Sequence, residues 1–133
     1  MGGDLITRIL DRAPWLRDPK YTLILQPQSG GADLRRYLGA QGFSLERERL
    51  VRDGGFLYGV FRARYGGGTV PSPGEQYVSQ ALQRESDPLF RDYLARLDRS
   101  LTATVSGIAQ SADPTDRDKL AYYEAALAYI QSL

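Results

Sequence analysis

The 133-residue chain has 42% hydrophobic and 25% charged residues and a formal net charge of +1, the balance of one modest folded domain with an appendage. It has no cysteine and no histidine, which excludes disulfides, Cys/His zinc sites, thiolate nucleophiles and imidazole bases; no metal is expected. No apolar run approaches the roughly 18–20 residues that span a bilayer, and no leader pattern opens the chain, so neither membrane insertion nor secretion is expected and the cytoplasm is the default location.

Residues 1–65 carry 11 basic and 7 acidic side chains, whereas residues 66–133 carry 6 and 9. Nearly all the positive charge is arginine, whose planar donor fork suits phosphate. The first half therefore admits an RNA or nucleotide partner, although so small an excess equally fits a solvated surface.

In chain order, Gly2-Gly3-Asp4 precedes Leu5, Ile6, Ile9 and Leu10, spaced for one face of a helix that stops near Ala13-Pro14. Tyr21–Leu25 is an uninterrupted apolar run, predicted to be a parallel strand buried on both faces and ending at Gln26-Pro27-Gln28. Residues 32–41 follow as a second helix, with Leu34, Tyr37 and Leu38 on one side and Gly42 as its cap. Phe43–Val51 and Phe56–Tyr65 alternate like strands, and Asp53-Gly54-Gly55 between them supplies a hairpin turn.

The breaker-rich run from Gly66 to Gly74 marks a boundary, giving a domain over 1–65 and a linker over 66–86 with room for a short helix. Over 87–133 an antiparallel helical hairpin, a short coiled coil, is predicted. Asp87-Pro88 starts a seam of Phe90, Leu94, Leu97, Leu101, Val105, Ile108 and Ala112, and Asp113-Pro114 starts a second of Leu120, Tyr123, Leu127 and Ile130. These seams are packing surfaces first and partner surfaces second. Trp15, Tyr21, Tyr37 and Tyr58 have the chemistry to stack a base, but aromatics beside strands are ordinarily core.

Helix, strand, helix and a closing hairpin of long strands is also the order in the second half of a doubly wound methyltransferase sheet. The local sequence agrees: Met1-Gly2-Gly3, Leu23-Ile24-Leu25-Gln26-Pro27-Gln28, Leu34-Arg35, Leu38, Gly42-Phe43, Glu48, Gly55, Tyr58 and Pro88-Leu89-Phe90 through Tyr93-Leu94 resemble the bacterial tRNA (adenine(22)-N1)-methyltransferase family. The resemblance implies an α/β fold, the C-terminal half of a Rossmann-like sheet ending in an antiparallel pair. It also implies S-adenosylmethionine as cofactor and tRNA as partner. Met1, Gly2 and Gly3 would border the cofactor, and Gln26, Pro27 and Gln28 would form the substrate-side loop at the carboxyl edge of the sheet. Arg35, Arg36, Arg62 and Arg64 are the candidates for RNA phosphate contacts. No catalytic residue is assigned.

Three departures accompany the resemblance. Gln28 stands where the family has asparagine, and Phe56 and Gly59 stand where it tends to carry a lysine and a glutamate. The first strand and its acidic Gly-x-Gly loop, on which cofactor binding in the family depends, have no counterpart here. The expectation is thus an inactive C-terminal part that binds no S-adenosylmethionine alone, its boundary matching an internal methionine read as a start. A noncatalytic RNA-binding or protein-interaction module is the alternative. The apolar strand Tyr21–Leu25, lacking a neighbour on one side, is expected to promote self-association.

Overall fold

The computed structural model describes all 133 residues and is organised around one long hairpin. Strands β2 (Phe43–Asp53) and β3 (Phe56–Tyr65) are joined by Gly54 and Gly55, whose φ angles of +57° and +83° are those the tight turn demands. β1 (Leu23–Leu25) pairs antiparallel with the other side of β3, giving the order β1-β3-β2. The strand predicted over Tyr21–Leu25 is therefore shorter, and its neighbour in this sheet is antiparallel. Nor is it buried on both faces. Leu23 and Leu25 lean on the core while Ile24 is 65% exposed, because the helices beside the sheet cover one face only.

A bulge in β2 decides which side chains enter the core. Leu45 pairs with Ala63 and Arg47 with Arg62, so Glu46 is an extra residue. Were β2 regular through Glu46, the alternation that turns Phe43 and Leu45 inward would also turn Arg47 and Arg49 inward. With the bulge, Glu48 and Leu50 take the inner face and the arginines take the outer one.

Helices α1 (Gly3–Asp11) and α2 (Gly31–Ala40) lie on that inner face. Ile6 and Leu10 of α1 meet Leu34 and Leu38 of α2 over Phe43, Phe61 and Ala63. Each fully enclosed leucine contributes about 1.5–3 kcal/mol.

A second core lies further along the hairpin. Leu50 joins Val78 and Leu82 with Leu94 and Leu101 of α4 (Phe90–Ala109) and Ala126 and Ile130 of α5 (Pro114–Gln131). The segment expected to be a linker is part of this core: Val78, Ala81 and Leu82 are buried, the latter two on the short helix α3 (Gln80–Arg84), which Ser79 caps by accepting from the Leu82 N–H. The helices α4 and α5 run antiparallel, since Arg91 near the start of α4 donates to the carbonyl of Leu133. α4 begins at Phe90, later than Asp87-Pro88 predicts. The Asp87 carboxylate accepts from the N–H of Leu50 as well as that of Leu89, tying the preceding turn to β2. Asp113 caps α5 as expected, accepting from the Thr115 N–H.

If Glu46 only sets the phase of β2, deleting it leaves every later side chain on its present face. The expected result is a folded protein whose thermal midpoint falls by only about 3–4 °C, the equivalent of roughly 1 kcal/mol. Deleting Arg49 turns Leu50 outward and should abolish the cooperative thermal transition seen by circular dichroism. Equal effects of the two deletions would contradict the assigned register.

Candidate functional site: a cleft beside the β1 loop

The two loops singled out in the sequence touch. The Gln28 N–H donates to the Met1 carbonyl at 2.9 Å and the Gly3 N–H to the Ser29 carbonyl at 2.8 Å, while the Met1 ammonium reaches Gln28 Oε1 at 3.3 Å. The approach requires glycine, because a Cβ on Gly3 would lie 2.6 Å from the Gly30 carbonyl oxygen. Pro27 is buried beneath them and Gln28 is exposed.

Behind this loop, α2 carries a buried ion pair that joins four parts of the chain. Arg35 donates from Nε to Glu48 Oε1 at 3.0 Å and from Nη2 to Oε2 at 2.6 Å, a bidentate pair with Arg35 5% and Glu48 0% exposed. Arg35 Nη1 donates to the Gln76 carbonyl at 2.8 Å and Nη2 also to the Tyr93 hydroxyl at 3.4 Å, and the guanidinium stacks on Phe61. Glu48 Oε1 accepts in turn from Ser79 Oγ at 2.8 Å, and the Tyr93 hydroxyl donates to the Tyr77 carbonyl at 2.6 Å. Burial opposes the Arg35 charge, but Glu48, then Tyr93, outweigh it and hold the guanidinium protonated.

Gly59 fits the same network. A Cβ there would lie 2.7 Å from Phe61 and 2.8 Å from Glu48 Oε2, so the space a glutamate would need is filled by the ion pair.

A cleft of about 760 Å³ opens between the Pro27–Asp33 stretch, the β3 residues Phe56–Gly59, and α5. Tyr77, Tyr122 and Tyr123 form much of its far wall, and Arg36 and Lys119 also line it. The Tyr122 hydroxyl donates to Gln76 Oε1, and Gln83 Nε2 donates to the Tyr129 hydroxyl, so α5 is fastened to the segment before it. Burial raises the phenol pKa values of Tyr77, Tyr93 and Tyr122. Tyr37, desolvated and donating to Asp11, is pushed up to about 12.

The four arginines expected to meet phosphate have different positions. Arg35 is a correction: both edges of its guanidinium are engaged inside the protein, so it is not presented to a phosphate. Arg36 is exposed at the cleft. Arg62 and Arg64 lie on the outer face of β3, away from the cleft. Arg64 is held by Glu46, the Pro19 carbonyl and Thr22 Oγ1, and Arg62 stands 3.9 Å from Glu46. Lys119 was not singled out in the sequence; its position one turn before Tyr123 on the α5 seam was the available signal. No group of three or more acidic side chains is placed to hold a metal ion, and no helix is long and apolar enough to cross a membrane.

Comparison with known proteins places this geometry. The family described as TrmK, tRNA (adenine(22)-N(1))-methyltransferase, matches residues 1–131. The Bacillus subtilis m1A22 tRNA methyltransferase TrmK superposes with a TM-score of 0.75 at 23% identity, over 99% of this chain and 59% of that one. A Listeria monocytogenes serotype 4b protein gives 0.76 at 20% identity, again over 99% and 59%. Mycoplasma capricolum TrmK in complex with S-adenosyl-homocysteine gives 0.60 at 13% identity, over 98% and 55%. At these identities the superpositions establish the fold, and the chain spans a little over half the length of each structure. No curated protein matches the sequence.

Two outcomes follow from the ion pair and the phenols. Arg35→Leu leaves Glu48 buried without its cation and should lower unfolding free energy by about 3–5 kcal/mol, whereas Arg35→Leu with Glu48→Leu should recover most of that loss. Chemical denaturation measures both, and a double variant as unstable as the single one would contradict the pairing. A raised phenol pKa means that the folded state keeps a proton the unfolded chain loses near the ordinary value of 10.0, so this contribution is complete below that pH and is lost as pH rises toward about 12. The thermal midpoint should therefore fall above about pH 10 together with a rise in tyrosinate absorbance. A midpoint unchanged to pH 12 would contradict the burial of these phenols.

Proposed function

Because this chain belongs to the tRNA (adenine(22)-N(1))-methyltransferase family, we propose that it forms the substrate-facing, C-terminal part of an enzyme that methylates adenine N1 in tRNA. The observation that carries this reading is the contact between Met1–Gly3 and Gln26–Gln28 at the end of β1, with the cleft opening beside it. Ligands of open α/β sheets bind at that edge. The alternative, a freestanding noncatalytic module, is not favoured, because the family match extends across both the α/β part and the helical pair.

In this reading the three strands are the far end of a doubly wound sheet whose remaining strands continue from β1. Ile24, Leu5 and Ile9 are exposed apolar side chains on β1 and α1, as suits surfaces covered in the longer protein. The helical pair α4/α5 acts as a coiled-coil arm that grips folded RNA by shape.

The residues present do not make a complete S-adenosylmethionine site. Met1–Gly3 offer mainly backbone, and β1 ends in Leu25-Gln26 with no carboxylate to engage ribose hydroxyls. The methyl donor must be held largely by other residues. When bound, that cofactor supplies an electrophilic methyl group.

This chain's contribution is orientation. Adenine N1 already carries the lone pair that attacks, so no proton has to leave first and the task left to these residues is to align the base and exclude water. In this reading the amide of Gln28 fixes one edge of the base and Pro27 stiffens the loop.

The 133-residue chain should show no saturable S-adenosylmethionine binding in calorimetry; micromolar binding would contradict the division of labour. In the longer protein, Gln28→Ala should lower kcat for tRNA methylation about a hundredfold with a small change in tRNA KM, and an unchanged kcat would remove Gln28 from base positioning. Alone, the chain should self-associate through the edge of β1 and should become monomeric on Ile24→Lys. Light scattering distinguishes this from a wild-type monomer at high concentration, which would contradict the open edge.

A further inference from the structure

The cleft holds one side chain that the fold does not account for. Phe56 is 64% exposed although it opens β3 at the rim of the cleft, and it forfeits much of the burial a phenyl ring normally gains. Its ring lies 6.3 Å from that of Tyr58, tilted by 32°, so two aromatic rings stand together on one side of the opening.

The charges around the opening are balanced. Arg36 and Lys119 form no ion pair within the chain, and Asp33 and Asp118 stand on the same lining. A lining of this kind attracts polyanions weakly and non-specifically at most, while its aromatic rim suits a flat, polarisable group with a phosphate on each side. Its volume of about 760 Å³ falls in the range of pockets that enclose small ligands and leaves room beyond a single base.

We infer that the cleft receives an unpaired RNA nucleotide next to the base positioned by Gln28, stacked on the exposed ring of Phe56, with Arg36 and Lys119 taking its flanking phosphates. This rests on the assignment of the chain to an RNA-modifying enzyme and adds the state of the substrate: the RNA enters locally unstacked. Aromatic side chains accept any base by its π-face, so Phe56 supplies affinity and single-strand preference without reading sequence. The two cations give the interaction a shallow salt dependence, with a slope of log K against log salt of about −1.4 for two phosphate contacts on a single strand.

A Trp15→Phe, Phe56→Trp variant of the 133-residue chain, checked for folding by circular dichroism, places the only indole on the cleft rim. A single-stranded hexariboadenylate should quench its fluorescence saturably, and a blunt duplex RNA should not. With fluorescein-labelled hexamer, Phe56→Ala should weaken binding about tenfold, and Lys119→Ala should make the salt slope shallower by about 0.7. Absence of quenching, equal quenching by duplex, or unchanged affinity of Phe56→Ala would overturn the inference.

Methyl transfer by the longer protein separates the two claims. Quenching without transfer removes the methyltransferase assignment alone, and transfer without quenching removes the stacking site alone.

Discussion

The bidentate contact between Arg35 and Glu48 is the interaction on which the rest of the structure depends. Neither charge is solvated, so each is tolerable only in the presence of the other and of the groups that complete their hydrogen bonds. Those groups come from Gln76, Ser79 and Tyr93. One ion pair thus fixes α2 against β2, draws the segment after β3 across the sheet, and anchors α4. The apolar clusters on either side are separate, and the pair lies between them. Fully apolar side chains at these positions would pack with less directional constraint than the charged pair imposes through its hydrogen bonds to Gln76, Ser79 and Tyr93.

Much of the fold is legible in the sequence because it is local. The Gly54-Gly55 turn, Asp113-Pro114 at the start of α5, Gly42 after α2 and the spacing of Leu94, Leu101 and Ile130 each follow from backbone conformation or helical periodicity. The one-sided burial of β1 is less legible, since an apolar run of this length reads the same whether one face or two are covered. The segment 66–86 reads as a linker because glycine and proline dominate its start, while Val78 and Leu82, which bury it, are too few to form a pattern.

The candidate site was legible in its loops and misleading in its charges. Met1–Gly3 and Gln26–Gln28 are adjacent in the structure, as the family resemblance implied. Arg35 and Arg36 look identical in sequence, yet one is 5% exposed and the other faces solvent, a difference set by 100° of helical rotation. Glu48 is buried through the bulge at Glu46. One trace of that bulge was present: Phe43 and Leu45 are apolar at odd positions and Leu50 at an even one, a change of phase that a regular strand does not allow. The pairing of Arg36 with Lys119 across the cleft could not be assembled from sequence because the two come from different helices, α2 and α5.

Amide hydrogen exchange of the 133-residue chain with and without tRNA tests the proposed RNA-facing surface most directly. Slower exchange at residues 28–33, 56–59 and 119–123 on adding tRNA is expected. Slower exchange confined to the outer sheet face around Arg47, Arg49 and Arg62, with the cleft unchanged, would contradict the placement of the substrate beside the β1 loop.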